Sequence, residues 1–139
     1  MSDISSSEIA LVTGGNRGIG LAIADELRTA GFTVIAASRK GESVNGHFAV
    51  SMDVTSTESV DAAFAAIEAE HGLATIIVCN AGITRDGLVM RMSDEDFGDV
   101  VETNLAGSFK VARRATKSMT SYLEVVVPLL PSFNEAGDF

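Results

Sequence analysis

The sequence of 139 residues predicts an α/β fold with a doubly wound parallel sheet. Short apolar runs alternate with longer segments in which apolar residues recur at helical spacing. The short runs are apolar at consecutive positions, which is typical of parallel strands covered by helices on both faces. Strong hairpin turns are missing between the first three runs. Asn45-Gly46 is the one hairpin-like dipeptide, and we expect a loop there, with a hairpin as the alternative.

Glycines mark the boundaries of the first strand, the first helix and the second strand. Ile9 to Val12 form a short apolar run that ends before Gly14, as expected of a buried strand. Apolar residues from 19 to 30 then recur at helical spacing, and Gly31 is placed to end the helix. The second strand is predicted over residues 32–37, which include several β-branched side chains.

A third strand over residues 48–54, a helix, a fourth strand over 75–78 and a long helix complete the predicted order β-α-β-β-α-β-α. Thr55-Ser56-Thr57-Glu58 has capping-box spacing, so a helix is predicted to begin there and to end at Gly72. Ser93 and the three acids after it predict the start of the last helix, because acids are favourable at its positive dipole end. The apolar positions of the two helices are Val60, Phe64 and Ile67, then Val101, Leu105, Phe109, Ala112 and Met119.

Charge and composition exclude several classes of function. The net charge of −9 argues against nucleic acid and anionic membranes as partners. No apolar run approaches the roughly 20 residues of a membrane helix, and no secretory leader opens the chain. Cys79 is the only cysteine, which fits a reducing compartment, so we expect a cytoplasmic protein. His47 and His71 have no neighbours at metal-ligand spacing and are expected on the surface, so no metal site is predicted.

The segment Thr13–Gly20 reads T-G-G-N-R-G-I-G and lies between the first strand and the first helix. Glycines there permit a tight turn and let backbone N–H groups approach a phosphate. The positive dipole end of the helix adds to this attraction. The segment therefore predicts a pyrophosphate-binding turn, with a purely structural glycine turn as the alternative.

The spacing T-G-x-x-x-G-x-G resembles the cofactor turn of the short-chain dehydrogenase/reductase family. Three further motifs of that family follow in order: Asp53-Val54 resembles its adenine-contacting acid, Asn80-Ala81-Gly82 its N-A-G motif, and Asn104 its helix asparagine. The resemblance covers roughly residues 8–119 and implies a Rossmann-type fold. For Asp53 a helix-capping or loop role is the alternative, and for the N-A-G segment a plain turn.

The cofactor is predicted from charge to be NADP(H). An NAD site places an acid about 20 residues beyond the glycines, where this chain has Ser38-Arg39-Lys40. Arg39 and Arg17 are suited to pair with a 2′-phosphate, although the basic residues after Ser38 also suit an ordinary solvated loop. The candidate cofactor-binding residues are Gly14, Asn16, Arg17, Gly18, Ile19, Gly20, Arg39, Asp53, Val54, Asn80, Ala81 and Gly82.

Residues 80–86 and 88–92 resemble, more specifically, the bacterial 3-oxoacyl-acyl-carrier-protein reductases. This resemblance implies an oxidoreductase of fatty acid biosynthesis that reduces a 3-oxoacyl thioester on acyl carrier protein to the 3-hydroxyacyl form with NADPH. It also implies that acyl carrier protein presents the substrate. The family usually forms tetramers, but the helices that build that interface lie partly outside the resemblance, so a homo-oligomer stays open and is not carried over to this chain.

The family's catalytic serine, tyrosine and lysine are not matched, and Asn104 is the only catalytic residue that the resemblance assigns. The single tyrosine, Tyr122, has Val126 four residues later where the family has lysine. Ser132 falls near the expected serine, but no tyrosine or lysine follows it, so we treat this match as coincidence. We therefore expect the chain alone to be inactive.

The resemblance fades after Met119, and both prolines, Pro128 and Pro131, come later. We expect residues 1–119 to form an incomplete NADP(H)-binding domain, truncated after about the fourth or fifth strand, and residues 120–139 to be a divergent tail. Residues 123–127 are a candidate fifth strand, although the prolines favour an edge or a loop. Two alternatives stay open: a nucleotide-binding half-domain without catalysis, and a non-functional frameshifted or truncated product.

Overall fold

The structure is a computed structural model that describes residues 8–120 in full and the backbone of residues 121 and 126–128. Five parallel strands form one sheet in the order β3-β2-β1-β4-β5. The predicted doubly wound parallel sheet is thereby confirmed. The strands are β1 (Ile9–Thr13), β2 (Thr33–Ser38), β3 (Phe48–Ser51), β4 (Ile76–Cys79) and β5 (Val126–Pro128).

Helices connect the strands and continue after β4. They are α1 (Gly18–Thr29), α2 (Thr57–Glu70), α3 (Asp94–Val100), a π-helix (Val101–Ala106) and α4 (Gly107–Ser118), with short 3-10 turns at Val89–Arg91 and Met119–Ser121. None of the helices in the described part of the chain is long and apolar enough to cross a membrane.

The sheet has an apolar cluster on each face, because the residues of β1 are buried without interruption. Ala10, Val12 and Val34 pack with Ala24 of α1 on one face. On the other face, the cluster includes Leu11, Ile35, Ile77, Val60, Phe64, Ile67, Val111 and Ala115, so α2 and α4 cover this side. The predicted apolar face of α2 is thus confirmed, and burying each of its larger side chains contributes roughly 1.5–3 kcal/mol.

The predicted capping box at the start of α2 is wrong. The N-cap is Ser56, whose Oγ accepts a hydrogen bond from the backbone N–H of Ser59 at 3.2 Å. Thr55 is instead held by Asp53, whose Oδ1 accepts from both its N–H and its hydroxyl. The third strand ends at Ser51, the last residue that pairs with β2, and not at residue 54 as predicted.

The predicted long helix is present and continuous from Asp94 to Ser118, but it contains a π-helical stretch, and part of its expected apolar face points outwards. The π-helix separates α3 from α4, and the row buried on this segment is Thr103, Gly107, Val111, Ala115 and Met119. Leu105 and Phe109 are 69% and 59% exposed, and Val101 is also exposed. The predicted burial of Met119 is therefore confirmed, whereas the predicted burial of Val101, Leu105 and Phe109 is wrong.

His47 contradicts the expectation of a surface histidine. It is buried, with 3% of its surface exposed, and its Nε2 lies 2.7 Å from Oδ1 of Asp25 on α1. The nearby Asn45-Gly46 dipeptide lies in a loop, because β2 and β3 are parallel, so the hairpin alternative is excluded. Asn45 has a left-handed φ of 56° and its side chain donates to Asp25.

The end of the sheet partly matches the expected fifth strand. The backbone of Val126–Pro128 pairs in parallel with β4 at the edge of the sheet, where proline is tolerated. Residues 122–125 lie outside the described residues, so the predicted strand start and the surroundings of Tyr122 do as well. The same holds for residues 129–139, which include Pro131 and Ser132.

Candidate cofactor-binding site

A cleft of about 690 Å³ opens at the carboxyl ends of β1, β2 and β4. The chain leaves β1 towards β2 on one side and later returns to β4 on the other side, so the loops diverge there. Parallel sheets bind ligands at such switch points. The predicted site residues that line this cleft are Gly14, Asn16, Arg17, Gly18, Arg39, Val54, Asn80, Ala81 and Gly82.

The glycine turn lies against the sheet and leaves the start of α1 open. The backbone N–H groups of Gly14 and Gly15 donate to the carbonyl of Ala37 at 2.8 and 3.3 Å. At Gly20, an added Cβ would lie only 2.1 Å from the Gly14 carbonyl oxygen, so no side chain fits there. Gly20 thus shapes the turn from behind, without lining the cleft, and Ile19 beside it is 71% exposed.

The N-terminus of α1 is suited to an anion. Arg17 is the N-cap residue and makes no side-chain hydrogen bond to the helix, and the first turn contains no acid. The first N–H groups of a helix carry a partial positive charge and need acceptors. A phosphate in the cleft would therefore meet free donors at this helix terminus.

Thr13 at the end of β1 is hydrogen-bonded to the end of β4 beneath the cleft. It was not among the candidate site residues predicted from the sequence. It is buried, and its Oγ1 accepts hydrogen bonds from the N–H groups of Asn80 and Ala81 at 2.9 and 3.0 Å. Its hydroxyl also lies 3.4 Å from the carbonyl of Val78 as a donor. The Asn80 side chain then donates to the Gly14 carbonyl at 3.3 Å, which ties both loops together.

The cleft is locally basic although the chain carries a net charge of −9. Arg17, Arg39, Lys40 and Arg85 line it, against one acid, Glu42. Four cations against one anion give a local excess of three positive charges. This excess favours a ligand with several negative charges, such as a dinucleotide phosphate chain.

Asp53 follows the third strand as predicted, but it is not among the residues that line the cleft. Its Oδ1 accepts from the hydroxyl of Thr55 at 2.7 Å and from the Thr55 N–H at 3.0 Å. These bonds hold the pKa of the Asp53 carboxyl below its usual value. The geometry is that of the loop-capping alternative, and an adenine contact by Asp53 stays a prediction.

Asn104 lies in the π-helix and lines a smaller neighbouring cavity of about 480 Å³. Its Oδ1 accepts from the N–H of Ile83 at 2.8 Å, and its Nδ2 donates to the Ile83 carbonyl at 3.0 Å. Arg17, Asn80 and Gly82 line both cavities, so the two form neighbouring parts of one region. The side chain of Asn104 therefore holds the loop that follows β4.

Several residues that line the cleft were not predicted as site residues. They are Thr13, Ala37, Ser38, Lys40, Glu42, Met52, Ile83, Arg85 and Thr103. All but Thr103 lie at the carboxyl end of a predicted strand or within the loop that follows it. Their position at a strand end was the available signal, since residues there face the crevice of a parallel sheet.

Comparison with known proteins finds a family match and close relatives. The family model described as short chain dehydrogenase matches residues 8–124. The 3-oxoacyl-acyl-carrier-protein reductase MabA of Mycobacterium bovis is 47% identical over 113 residues, which cover 81% of this chain and 46% of that protein. The 3-oxoacyl-acyl-carrier-protein reductase FabG of Escherichia coli is 42% identical over 123 residues, which cover 81% of this chain and 49% of FabG.

A solved structure has the same fold. It is a variant of actinorhodin polyketide ketoreductase with NADPH, superposed with a TM-score of 0.82 at 33% sequence identity. The match covers 89% of this chain and 53% of that one. The chain thus spans about half the length of the relatives that it matches.

Proposed function

The chain belongs to the short chain dehydrogenase family, and on this premise we propose that it binds NADP(H) as the nucleotide-binding part of a 3-oxoacyl-acyl-carrier-protein reductase. The observation that carries the proposal is the glycine turn, packed against Asn80 and open at the start of α1. The names of MabA and FabG supply the substrate class.

The cleft fits a dinucleotide in size and in chemistry. Its volume of about 690 Å³ lies within the range of ligand pockets, roughly 300–1,000 Å³. A Cβ at Gly20 would collide with the Gly14 carbonyl oxygen, so glycine there lets the turn pack closely against the start of α1, where a pyrophosphate would meet the helix N–H groups. The four cations that line the cleft match the negative charge of the cofactor.

NADP(H) is favoured over NAD(H) by the residues at the end of β2. Arg39 and Lys40 follow Ser38 and line the cleft, where an NAD site would hold an acid. Guanidinium–phosphate hydrogen bonds are charge-assisted, so Arg39 would stabilise a 2′-phosphate there. Glu42 also lines the cleft, and the two cations before it outnumber it.

When bound, NADPH supplies the hydride of the proposed reduction. This chain's own residues bind and orient: the glycine turn holds the phosphates, and Asn104 fixes the loop at Ile83 beside the smaller cavity. Proton donation to the substrate needs a group with a pKa brought near neutrality. Tyr122 lacks a lysine four residues later, so we propose that these 139 residues bind the cofactor without turnover.

The cofactor part of the proposal is tested by titrating the purified chain with NADPH and NADH and following the cofactor fluorescence. We expect NADPH to bind more tightly, and Arg39→Ala to weaken NADPH binding by about tenfold to a hundredfold while NADH binding changes little. Lys117→Ala is the matched control, because Lys117 is an exposed cation on α4. The proposal would be contradicted if Arg39→Ala lost affinity for NADPH and NADH equally, or if the unmodified chain bound neither cofactor.

Turnover is tested separately with NADPH and an acetoacetyl thioester, after host reductases have been removed. We expect no oxidation of NADPH above background by the chain alone. Turnover that persists in the pure chain and is unchanged in Tyr122→Phe would show that another group donates the proton. A chain that binds neither cofactor and does not turn over would favour the non-functional product.

A further inference from the structure

The turn that follows β2 is held from outside the cleft by Ser51. This residue is the last of the edge strand β3 and is exposed to solvent. Its hydroxyl donates a hydrogen bond to the backbone carbonyl of Arg39 at 2.7 Å. The next residue, Met52, donates its N–H to the Ser38 carbonyl at 2.8 Å. The carbonyls of Ser38 and Arg39 are therefore both held by the two residues at the end of β3.

The other end of the same turn packs directly on Ser51. Gly41 has a left-handed φ of 69°, and an added Cβ would lie 3.0 Å from the Ser51 nitrogen and 3.2 Å from its Cα. The N–H of Gly41 donates to the Ser38 hydroxyl oxygen at 3.0 Å, which closes the turn on itself. The backbone of residues 38–41 is therefore fixed by contacts at both of its ends.

Arg39 and Lys40 are the two central residues of this turn, and both line the cleft. Long cationic side chains lose rotamer freedom when they bind a phosphate, and a mobile backbone would add to that cost. If the backbone is already fixed before the ligand binds, binding carries no entropy cost for ordering the backbone. Ser51 does not line the cleft, so its hydroxyl acts on a bound ligand only through the turn.

We propose that Ser51 is a positioning residue that sets the preference of this chain for NADPH over NADH, by holding the Ser38–Gly41 turn against β3. The proposal rests on the proposed binding of NADP(H). Loss of the Ser51 hydroxyl should therefore weaken only the binding of the 2′-phosphate, because the Ser38–Gly41 turn contributes Arg39 and Lys40. Binding of the pyrophosphate is assigned to the glycine turn before α1 and should not change.

The experiment compares dissociation constants for NADPH and NADH in the full chain and in three variants. Ser51→Ala is expected to lower the NADPH-to-NADH affinity ratio by about threefold to tenfold, as one hydrogen bond is lost. Ser51→Thr keeps the hydroxyl and is expected to retain the ratio. Ser43→Ala is the matched control: it removes an equivalent hydroxyl bond, 2.8 Å long, to the His47 carbonyl in the same loop, and is expected to leave the ratio unchanged.

Binding of NADH reports whether each variant keeps a folded site. If Ser51→Ala keeps the ratio of the unmodified chain, or if Ser43→Ala lowers it equally, the inference is wrong while NADP(H) binding stands. If both affinities of Ser51→Ala fall together, Ser51 has only a structural role and the inference is also wrong. If the unmodified chain binds neither dinucleotide, the proposed function itself fails, and the inference fails with it.

Discussion

The side-chain amide of Asn104 pairs with the backbone of Ile83 in both directions. Its Oδ1 accepts from the Ile83 N–H at 2.8 Å, and its Nδ2 donates to the Ile83 carbonyl at 3.0 Å. A side-chain amide carries an acceptor oxygen and a donor nitrogen side by side, so it can satisfy the N–H and the carbonyl of one residue at once. The pair joins the π-helix to the loop after β4, which lines both cavities of the site.

Asn104→Asp is expected to loosen this loop. The carboxylate still accepts from the Ile83 N–H, but its second oxygen faces the Ile83 carbonyl, so one attraction becomes a repulsion. We expect faster hydrogen exchange over residues 81–86 and NADPH binding weakened by about threefold to tenfold. Thr116→Ala, which removes a hydroxyl bond to the Ala112 carbonyl elsewhere on the same segment, should change neither measurement.

Thr13→Val is expected to destabilise the fold. Valine keeps the shape of the side chain, but the N–H groups of Asn80 and Ala81 lose their common acceptor at the buried end of β1. Leaving such groups unsatisfied costs about 1–3 kcal/mol of unfolding free energy. Urea denaturation should show this loss, and Thr13→Ser should recover most of it. Equal stability of the valine variant and the unmodified chain would refute the assigned role.

Cys79 is expected to be unreactive in the folded chain. Burial at the end of β4 raises the pKa of its thiol to about 11, so very little thiolate is present at pH 8. The thiolate is the reactive form, and an exposed cysteine titrates near 8.5, so labelling by a disulfide reagent should be roughly a hundredfold slower than in urea. Similar rates in both conditions would mean that the thiol is accessible and ionised.

Asp53 is expected to make stability depend on pH in the acid range. Hydrogen bonds from Thr55 lower the folded-state pKa of Asp53, so its carboxylate stabilises the fold above its unfolded pKa of about 3.9. That stability is lost as the pH falls through the lower, folded-state pKa. Asp53→Asn should therefore be less stable than the unmodified chain at pH 7, and the two unfolding free energies should converge in acid. A difference in unfolding free energy between Asp53→Asn and the unmodified chain that stays constant down to low pH would contradict this prediction.

Much of the fold could be predicted because its signals are local. The apolar run Ile9 to Val12 and the glycines after it specify a buried strand and a turn within a dozen residues. Parallel strands present their carboxyl ends on one edge, so local motifs at successive strand ends converge in space. Nine of the predicted cofactor residues accordingly line one cleft.

The remaining features depend on partners that are distant in the sequence. His47 is buried because Asp25, 22 residues earlier, reaches its Nε2. Nothing in the residues around His47 indicates that pairing. The hydroxyl of Ser51 bonds to Arg39 only because β2 and β3 align Ser38 with Ser51 in register, which a strand prediction does not specify.

The π-helix has a geometric consequence for the whole helical segment after β4. The row buried on this segment is Thr103, Gly107, Val111, Ala115 and Met119, a strict repeat of four residues. A four-residue step on an α-helix overshoots a full turn by about 40°, so such a row gradually winds away from a flat sheet. The wider π-turn closes with i→i+5 bonds, as from the Gly107 N–H to the Glu102 carbonyl, and rotates less per residue. The π-turn thus offsets this winding and keeps Thr103 and Gly107 in line with the buried row, with Gly107 close to the Val54 side chain, on the segment where Asn104 reaches Ile83.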